Sequence, residues 1–555
     1  MNNSDIASII SLYAKLLDIH GEESMKSKTY ANMAFQIDRL EEPLASMDIL
    51  KLEKIRGIGK QSAMKVKEII DNNSFQALEE LIAKTPSGIL ELLKIKGIGP
   101  KKIGVIWKEL DISSPGELLY ACEENRLIKY KGFGEKSQQS IKEAVSYYLA
   151  HQGFYLYAQV EPIAQQLLSF FKTIFGEEAA FITGAFRRQE DIIEQLEFVL
   201  KVPDYLIEEA LSNNEFFKEI QIEQGEFRYQ YQNQINIILY TDTDEGDSVL
   251  FFTSNTEDFN EMFQERFEET NFFQTEEEIF NESTQFYIPP YARTTHSLMN
   301  ENIEDKILNC IDLKHIKGII HNHSTWSDGL HTIEEMAQRC IQHGFEYLVM
   351  SDHSQTSFYA NGLSPDRIKK QQEEIDFLNE KLYPFKIFKS IECDILSDGK
   401  LDYDDNILNS FDLVIVSIHQ NLQMTEEKAM LRLLEAIKHP CTNILGHPSG
   451  RLLLSRKPYP VDYEKLIETC QLHNVAIEIN ANPRRLDLDA QWISLAEKNN
   501  VKLSINPDAH SMEGIMDIRY GVLSAQKALL SFQNNLSSYS LLEFEKYISM
   551  QKEKR

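Results

Sequence analysis

Nine histidine and carboxylate side chains carry the clearest chemistry in the chain: His321, His323, Asp328, His353, Glu392, His419, His447, Asp508 and His510. They fall in six short runs: HNHSTWSDG (321–329), SDH (351–353), SIECDILSDG (390–399), SIH (417–419), GHP (446–448) and NPDAH (506–510). Imidazole and carboxylate groups bind divalent ions, and nine of them exceed the needs of one tetrahedral ion, so two or three ions are expected. No cysteine holds a motif position, because Cys393 follows Glu392 and should point to the opposite face of a strand. A donor set without thiolate suits manganese, zinc or iron. Arg451, Arg484 and Arg485 follow apolar strand-like runs, in GHPSGR and NPRR, and could clamp a phosphate, although each is equally open to a structural role.

Ligands so far apart in sequence need a scaffold that gathers them. Seven short apolar runs read as buried parallel strands: KGIIHNH, EYLVMSDH, KIFKSIECD, DLVIVSIHQ, TNILGHP, VAIEINAN and VKLSINPDAH. Amphipathic helices such as TIEEMAQRCIQHG and EEKAMLRLLEAIK separate most of them. Alternating βα units imply right-handed crossovers and a parallel sheet, and seven suggest a closed barrel whose C-terminal strand ends share one face. The His-x-His and Asp-x-His pairs are expected at strand ends with both side chains on one side of the pleat. Residues 301–555 also hold 11 of the 14 histidines, where an even spread would place about six.

This region closely resembles the polymerase-and-histidinol-phosphatase (PHP) domain, a distorted (β/α)7 barrel. The resemblance implies one ion held by His321, His323, Glu392 and Asp508. It implies a second bridged by Glu392 and held by His419 and His447, and a third on Asp328, His353 and His510. Glu392, Asp508, His419 and Arg485 are then the expected catalytic residues of a phosphoesterase. Other histidines, at 331, 343, 439 and 473, fall in helices or loops and are not expected to be ligands.

Three segments repeat a second pattern: KIRGIGK (54–60), KIKGIGP (94–100) and KYKGFGE (129–135). Each lies between apolar helical runs, so each reads as a helix, a tight Gly-h-Gly hairpin and a second helix. Gly57, Gly59, Gly97, Gly99, Gly132 and Gly134 let the backbone approach a ligand, and helix N-terminal amides bind anions. Lys60 and Lys101 add charge indifferent to base sequence. The pattern resembles the helix-hairpin-helix motif, which grips DNA phosphates. Lys65 follows the first hairpin where family X DNA polymerases carry a Schiff-base lysine; a solvated helix lysine is the favoured reading.

Between these regions, FITGAFRR (181–188) and the strand-like runs LEFVLKV and INIILYT resemble the palm of a family X DNA polymerase. In that family a Gly-Ser-x-Arg-Arg turn holds the triphosphate and three aspartates hold two magnesium ions. Here Ala185 replaces the serine, and Gln195, Glu197 and Asn236 stand at the aspartate positions. Two-metal chemistry needs anionic oxygens, and two of these three side chains are neutral amides. A register shift onto Asp191 or Glu194 is the alternative. The segment after the palm (254–280) is short and acidic, a poor grip for a primer-template.

At 555 residues the chain is too long for one core, and 42% hydrophobic content argues against wholesale disorder. Net charge is −29, yet it runs from roughly +4 over 51–150 to roughly −20 over 151–300, which confines any DNA grip to the hairpin region. The scattered cysteines at 122, 310, 340, 393, 441 and 470, without a CxxC pair, suggest reduced thiols. No apolar run reaches the roughly 20 residues of a membrane span, and the amphipathic N-terminus lacks a signal peptide's features, so a cytoplasmic protein is expected.

The expected organisation is an N-terminal helical domain with a helix-hairpin-helix (1–80), a second all-α hairpin region (81–150), a degenerate α+β palm with short thumb (151–305) and the PHP barrel (313–555). The whole order resembles a bacterial family X DNA polymerase with a C-terminal PHP exonuclease. The expected function is DNA-binding, metal-dependent phosphoester hydrolysis, 3′–5′ exonuclease action in DNA repair, with manganese or zinc, iron being the third candidate. The alternatives are a small-molecule phosphatase, residual polymerase activity and a non-catalytic DNA-binding scaffold.

Overall fold

Each Gly-h-Gly repeat makes a tight link into a helix because its two glycines do different things. Gly57, Gly97 and Gly132 take φ of 88°, 95° and 96°, a left-handed conformation that favours glycine. The apolar residue between the glycines (Ile58, Ile98 or Phe133) is buried and anchors the turn. The helices Lys60–Asn72, Pro100–Leu110 and Glu135–Ala150 then start directly after the second glycine. The computed structural model describes residues 1–555 except 23, 56, 111, 124–126, 128–131, 151–152, 233–234, 243–246, 268–274, 301, 423 and 455–456. Lys129, Tyr130 and Lys131 of the third repeat thus lie outside the described residues, as does part of the acidic thumb-like segment. Met1–Gln152 forms one compact unit, and a single apolar cluster runs through it from Ile6 to Val145.

Gly153–Arg555 forms the second unit. Its first part is a five-stranded sheet of β1 (Ala180–Thr183), β2 (Gln195–Leu200), β3 (Phe217–Glu223), β4 (Glu226–Tyr231) and β5 (Ile235–Thr241), in spatial order β1-β2-β5-β4-β3. Only β2 and β5 run parallel, with Gln195 opposite Asn236 and Glu197 opposite Ile238. The helix Tyr157–Phe175 lays Val160, Ala164, Leu167 and Phe171 on this sheet, at the 3.6-residue spacing that the sequence displays. Phe251, Phe259, Phe263 and Phe280 build a separate aromatic core beside it.

The rest is a seven-stranded parallel sheet: β6 (Gly318–Ile319), β7 (Tyr347–Met350), β8 (Lys386–Asp394), β9 (Leu413–Ser417), β10 (Ile444–Leu445), β11 (Ala476–Asn480) and β12 (Leu503–Asn506). The strands follow sequence order around a nearly closed barrel. At the C-terminal strand ends a parallel bridge joins Asn322 to Ala509; at the other end Asn535 bridges Leu503 and the Ser537 carbonyl accepts from Lys317 N–H. Inside, Ile320, Val349, Phe388, Ile415 and Ile444 meet Phe544 and Ile548 of the terminal helix Leu541–Lys552, which plugs the lower end. Alternate strand residues such as Ile391, Cys393, Val414 and Val416 face the outer helices instead. Thr332 and Ser540 cap two helices in reciprocal boxes, each worth about 1 kcal/mol.

Two strands end sooner than expected. β6 stops at Ile319 and β12 at Asn506, so His321, His323, Asp508 and His510 sit on the turns that follow rather than on one pleat. His321 and Asp508 have φ of 65° and 52°, and His447 has 22°. Such conformations cost side-chain-bearing residues energy and persist where the surroundings over-determine them. No described helix is long and apolar enough to cross a membrane, and all six cysteines are free and buried.

Candidate functional site

Glu392 on β8 is the hub of the barrel's upper face, 1% exposed. Its Oε1 lies 2.9 Å from His447 Nε2, 3.1 Å from His419 Nε2 and 3.3 Å from His321 Nε2. Its Oε2 lies 3.0 Å from His353 Nδ1 and 3.6 Å from His323 Nε2. Asp508 Oδ1 stands 3.1 Å from His323 Nε2 and 3.5 Å from His321 Nε2. Asp328 Oδ2 is 3.6 Å from His353, and its Oδ1 is 3.5 Å from His510. All nine expected ligands therefore converge. Among the described residues their donor atoms gather as His321, His323 and Asp508; His353, Glu392 and His419; and His323, Asp328, His353 and His510, within 4.8 Å in each group. His323 and His353 each stand in two groups, which the assignment by resemblance did not foresee.

The electrostatics describe a site built for cations. Burial opposes a charge on His419, but Glu392 and Asp394 overcome it and lift the ring to about 10. Burial likewise opposes charge on His510, which Asp328 and Asp508 lift to about 9, and on His321, which Glu478, Glu392 and Asp508 raise well above the imidazole range. His323 goes the other way: burial, then His510 and His353, push it down to about 3, leaving a neutral ring. Against the cost of burial, the imidazoles hold Glu392 and Asp508 well below the carboxylate range. His321 Nε2 and Glu392 Oε2 are buried yet make no aligned hydrogen bond. Unsatisfied buried donors and acceptors are expensive, and imidazoles and carboxylates left in this state fit divalent ions, whose charge would replace that of the protons.

Two carboxylates that the sequence reading missed orient the ring nitrogens from behind. Glu478 on β11 is fully buried, 2.6 Å from His321 Nδ1, and accepts from Asn480, Asn506 and the His447 amide. Asp394 on β8 lies 2.5 Å from His419 Nδ1 and accepts from Thr356 and Ser357. Such partners fix the tautomer and aim of a ligating ring. Asp394 was legible as the residue two past Glu392 on the same strand face. Asp352, beside His353, fastens the first ligand loop by accepting from Ser324, Ser327 and Gln371.

The three arginines separate. Arg485 Nε is 3.6 Å from Asp508, so its charge faces the centre. Arg484 is exposed. Arg451 donates to the carbonyls of Arg485 and Leu486 and pairs with Asp489 and Asp191, so its guanidinium is structural rather than a phosphate clamp. Cys393 packs into the outer core, away from Glu392.

The sheet of β1–β5 carries no comparable constellation among the described residues. Gln195, Glu197 and Asn236 share one face, as their positions require, but Glu197 accepts from the Tyr240 hydroxyl (2.9 Å). Arg187 of the GAFRR turn is engaged by Glu276, which also takes the buried Arg293 at 2.8 Å. Burial opposes charge on Glu276, and the two guanidiniums nonetheless hold its carboxyl below the usual range. Asp191 is paired with Arg451 and Lys527.

At the hairpins, a Cβ on Gly59, Gly97, Gly99, Gly132 or Gly134 would meet open space, and Lys60 and Lys101 are exposed. Gly57 differs, because a Cβ there would strike Gln36. Lys65 is not a solvated helix lysine. Its Nζ donates to the Tyr30 hydroxyl (2.7 Å) and lies 5.0, 4.7 and 5.5 Å from the ring centres of Tyr13, Tyr30 and Phe75.

Residues 1–75 match the helix-hairpin-helix domain, 89–146 the SAM-like helix-hairpin-helix tandem and 320–482 the PHP domain. The chain is 33% identical to the DNA polymerase/3′-5′ exonuclease PolX of Bacillus subtilis (strain 168), over 99% of each. It is 28% identical to a probable phosphatase of Thermoanaerobacter sp. (strain X514), over 34% of this chain and 77% of that protein. A probable phosphatase of Clostridium acetobutylicum is 30% identical over 23% of this chain and 54% of its own length.

Proposed function

Because the chain belongs to the bacterial family X DNA polymerases that carry a C-terminal PHP domain, we propose that its working activity is hydrolysis of DNA phosphodiesters in the barrel. We assign it as a cytoplasmic 3′–5′ exonuclease in DNA repair, with template-directed synthesis lost. The single observation that carries this reading is the contrast at Glu392: five imidazoles surround it, whereas two of the three palm positions are amides.

Divalent ions, manganese or zinc with iron as the third candidate, would supply Lewis-acid activation of water and neutralise phosphate charge. His321, His323, Glu392 and Asp508 would hold one, His419 and His447 with Glu392 a second, and Asp328, His353 and His510 a third. The chain's own groups do the rest. Glu478 and Asp394 keep His321 and His419 aimed inward, and Arg485 offers a cation beside Asp508 for a phosphate oxygen. The outward amides of the Gly-h-Gly turns, with Lys60 and Lys101, hold the DNA backbone without reading bases. We keep the division into 1–80 and 81–150 for holding DNA, 151–305 for the polymerase-like region and 313–555 for hydrolysis. Loss of synthesis is further supported by Glu276, which engages the arginine that would otherwise face a triphosphate.

A small-molecule phosphatase is the second reading, favoured by the probable phosphatases that match 34% and 23% of the chain. End-labelled DNA with manganese, with and without nucleotides, tests the proposal. Shortening from the 3′ end without extension is expected. Template-directed addition of one nucleotide by a variant with a disabled barrel would refute the loss of synthesis.

A further inference from the structure

The β1–β5 sheet domain keeps its polar contacts with the barrel although two of its own metal positions are amides. Glu161 pairs with Arg519 at 2.5 Å and accepts from the Tyr520 hydroxyl at 2.8 Å, and Gln189 donates to Gln526 at 3.2 Å. Asp191 is different, because its partners lead to the candidate metal centre. One oxygen pairs with Lys527, and the other lies 3.3 Å from Arg451 Nη2. Arg451 in turn donates from Nε to the Arg485 carbonyl at 2.9 Å, from Nη2 to the Leu486 carbonyl and from Nη1 to Asp489 at 3.0 Å. Leu486 has φ of 41°, a conformation that a leucine keeps only where neighbours enforce it. The Arg485 side chain leaves this turn toward Asp508, 3.6 Å away.

We propose that Asp191 of the polymerase-like domain is a positioning residue for the barrel's phosphodiesterase site: it aims Arg451, whose guanidinium grips the 485–486 carbonyls and holds Arg485 beside Asp508. The inference rests on the reading that Arg485 serves phosphate hydrolysis. It gives the polymerase-like domain a task that needs none of its lost carboxylates. A carboxylate 260 residues upstream of Arg451 thereby tunes the opposite domain. The chain of contacts is short enough to act mechanically, since a guanidinium bonded to two consecutive carbonyls leaves that turn one orientation.

The full-length protein and three variants test it: Asp191→Asn, Arg485→Ala and the two combined. Glu161→Gln, which loosens another contact between the same domains, is the control. With bis(p-nitrophenyl) phosphate and manganese, Asp191→Asn should lower kcat about tenfold, within the range of coupling between neighbouring sites. It should cost nothing further once Arg485 is alanine, and Glu161→Gln should match the wild type. Backbone amide exchange over 482–489 in metal-free protein should quicken in Asp191→Asn and stay unchanged in Glu161→Gln. A loss in Asp191→Asn that simply adds to that of Arg485→Ala, or that Glu161→Gln shares, would overturn the positioning role. So would unchanged activity and exchange in Asp191→Asn. If Asp191→Asn fails to fold, Arg451→Lys, which keeps charge but loses the two-carbonyl grip, should give the same pattern; additive behaviour there overturns the proposal equally. Wild-type protein inactive on the diester, or an Arg485→Ala variant as active as wild type, would instead bring down the reading of the barrel itself.

Discussion

The barrel face around Glu392 and the sheet face around Glu197 present the same kind of geometry with opposite chemistry. In both, side chains on strands or just past their ends converge from parallel neighbours. In the barrel, charge is concentrated: Glu392, Asp508, Asp328, Glu478 and Asp394 face six imidazoles, and several buried nitrogen and oxygen atoms lack aligned hydrogen bonds. In the sheet, charge is dispersed into internal pairs: Tyr240 serves Glu197, Glu276 serves Arg187, and Arg451 and Lys527 serve Asp191. Folding favours satisfied groups, so unsatisfied ones persist where a ligand is to complete them. Two faces of like geometry can therefore differ in whether their charged groups are satisfied within the fold.

The sharpest way to break the comparison is an isosteric exchange at the hub. Glu392→Gln removes the anion that five imidazoles approach, and hydrolysis of DNA with manganese should fall by at least about 10²-fold, the scale of losing a main electrostatic contributor. Metal content should drop while the melting curve keeps a single cooperative transition. Full activity with full metal content would remove Glu392 from the site. Next in size is the hairpin region. Replacing Lys60, Lys96, Lys101 and Lys131 with glutamine should weaken DNA binding about tenfold or more at moderate salt. The salt slope should flatten by about one for each phosphate no longer neutralised. A small chromogenic phosphodiester should still be hydrolysed within about twofold of wild type. Unaltered DNA affinity in this variant would favour the small-molecule phosphatase.

Smaller still is Cys393→Ala, one residue from the hub but facing the outer core. Its activity should stay within about twofold while stability falls by about 1 kcal/mol, as for a modest core truncation. A large loss of hydrolysis would mean that the strand's two faces are not separate. The least effect is expected from Glu197→Gln, the sheet's counterpart of the first exchange. Tyr240 can donate to an amide oxygen as it does to the carboxylate, so both hydrolysis and melting should match wild type. A fall in either would show that the sheet face still acts.

The ligand types, the βα alternation and the three Gly-h-Gly turns were legible because each is written in local spacing. A period of two sets Glu392 and Asp394 against Cys393, and a buried apolar residue between two glycines marks each hairpin. The pleat expected for His-x-His was not there, since β6 ends before His321 and a left-handed turn aims the ring instead. The solvated Lys65 also failed. Its rings come from Tyr13, Tyr30 and Phe75, on other elements, and no helical periodicity announces them.

By itself the sequence determined which groups could bind ions, that seven parallel strands would gather them, and that Gln195 and Asn236 beside Glu197 carry amides rather than carboxylates. Tertiary structure alone decided the partners. Arg451, open from sequence to either role, is structural because Asp191 reaches it across 260 residues. Arg187 is engaged because Glu276 folds back onto it, and His321 is aimed because Glu478 stands behind it, 157 residues later in the chain. The physical reason is one of range. Backbone periodicity acts over a few residues and leaves its mark in the sequence, whereas a buried ion pair needs only nearness in space, which the path of the whole chain provides.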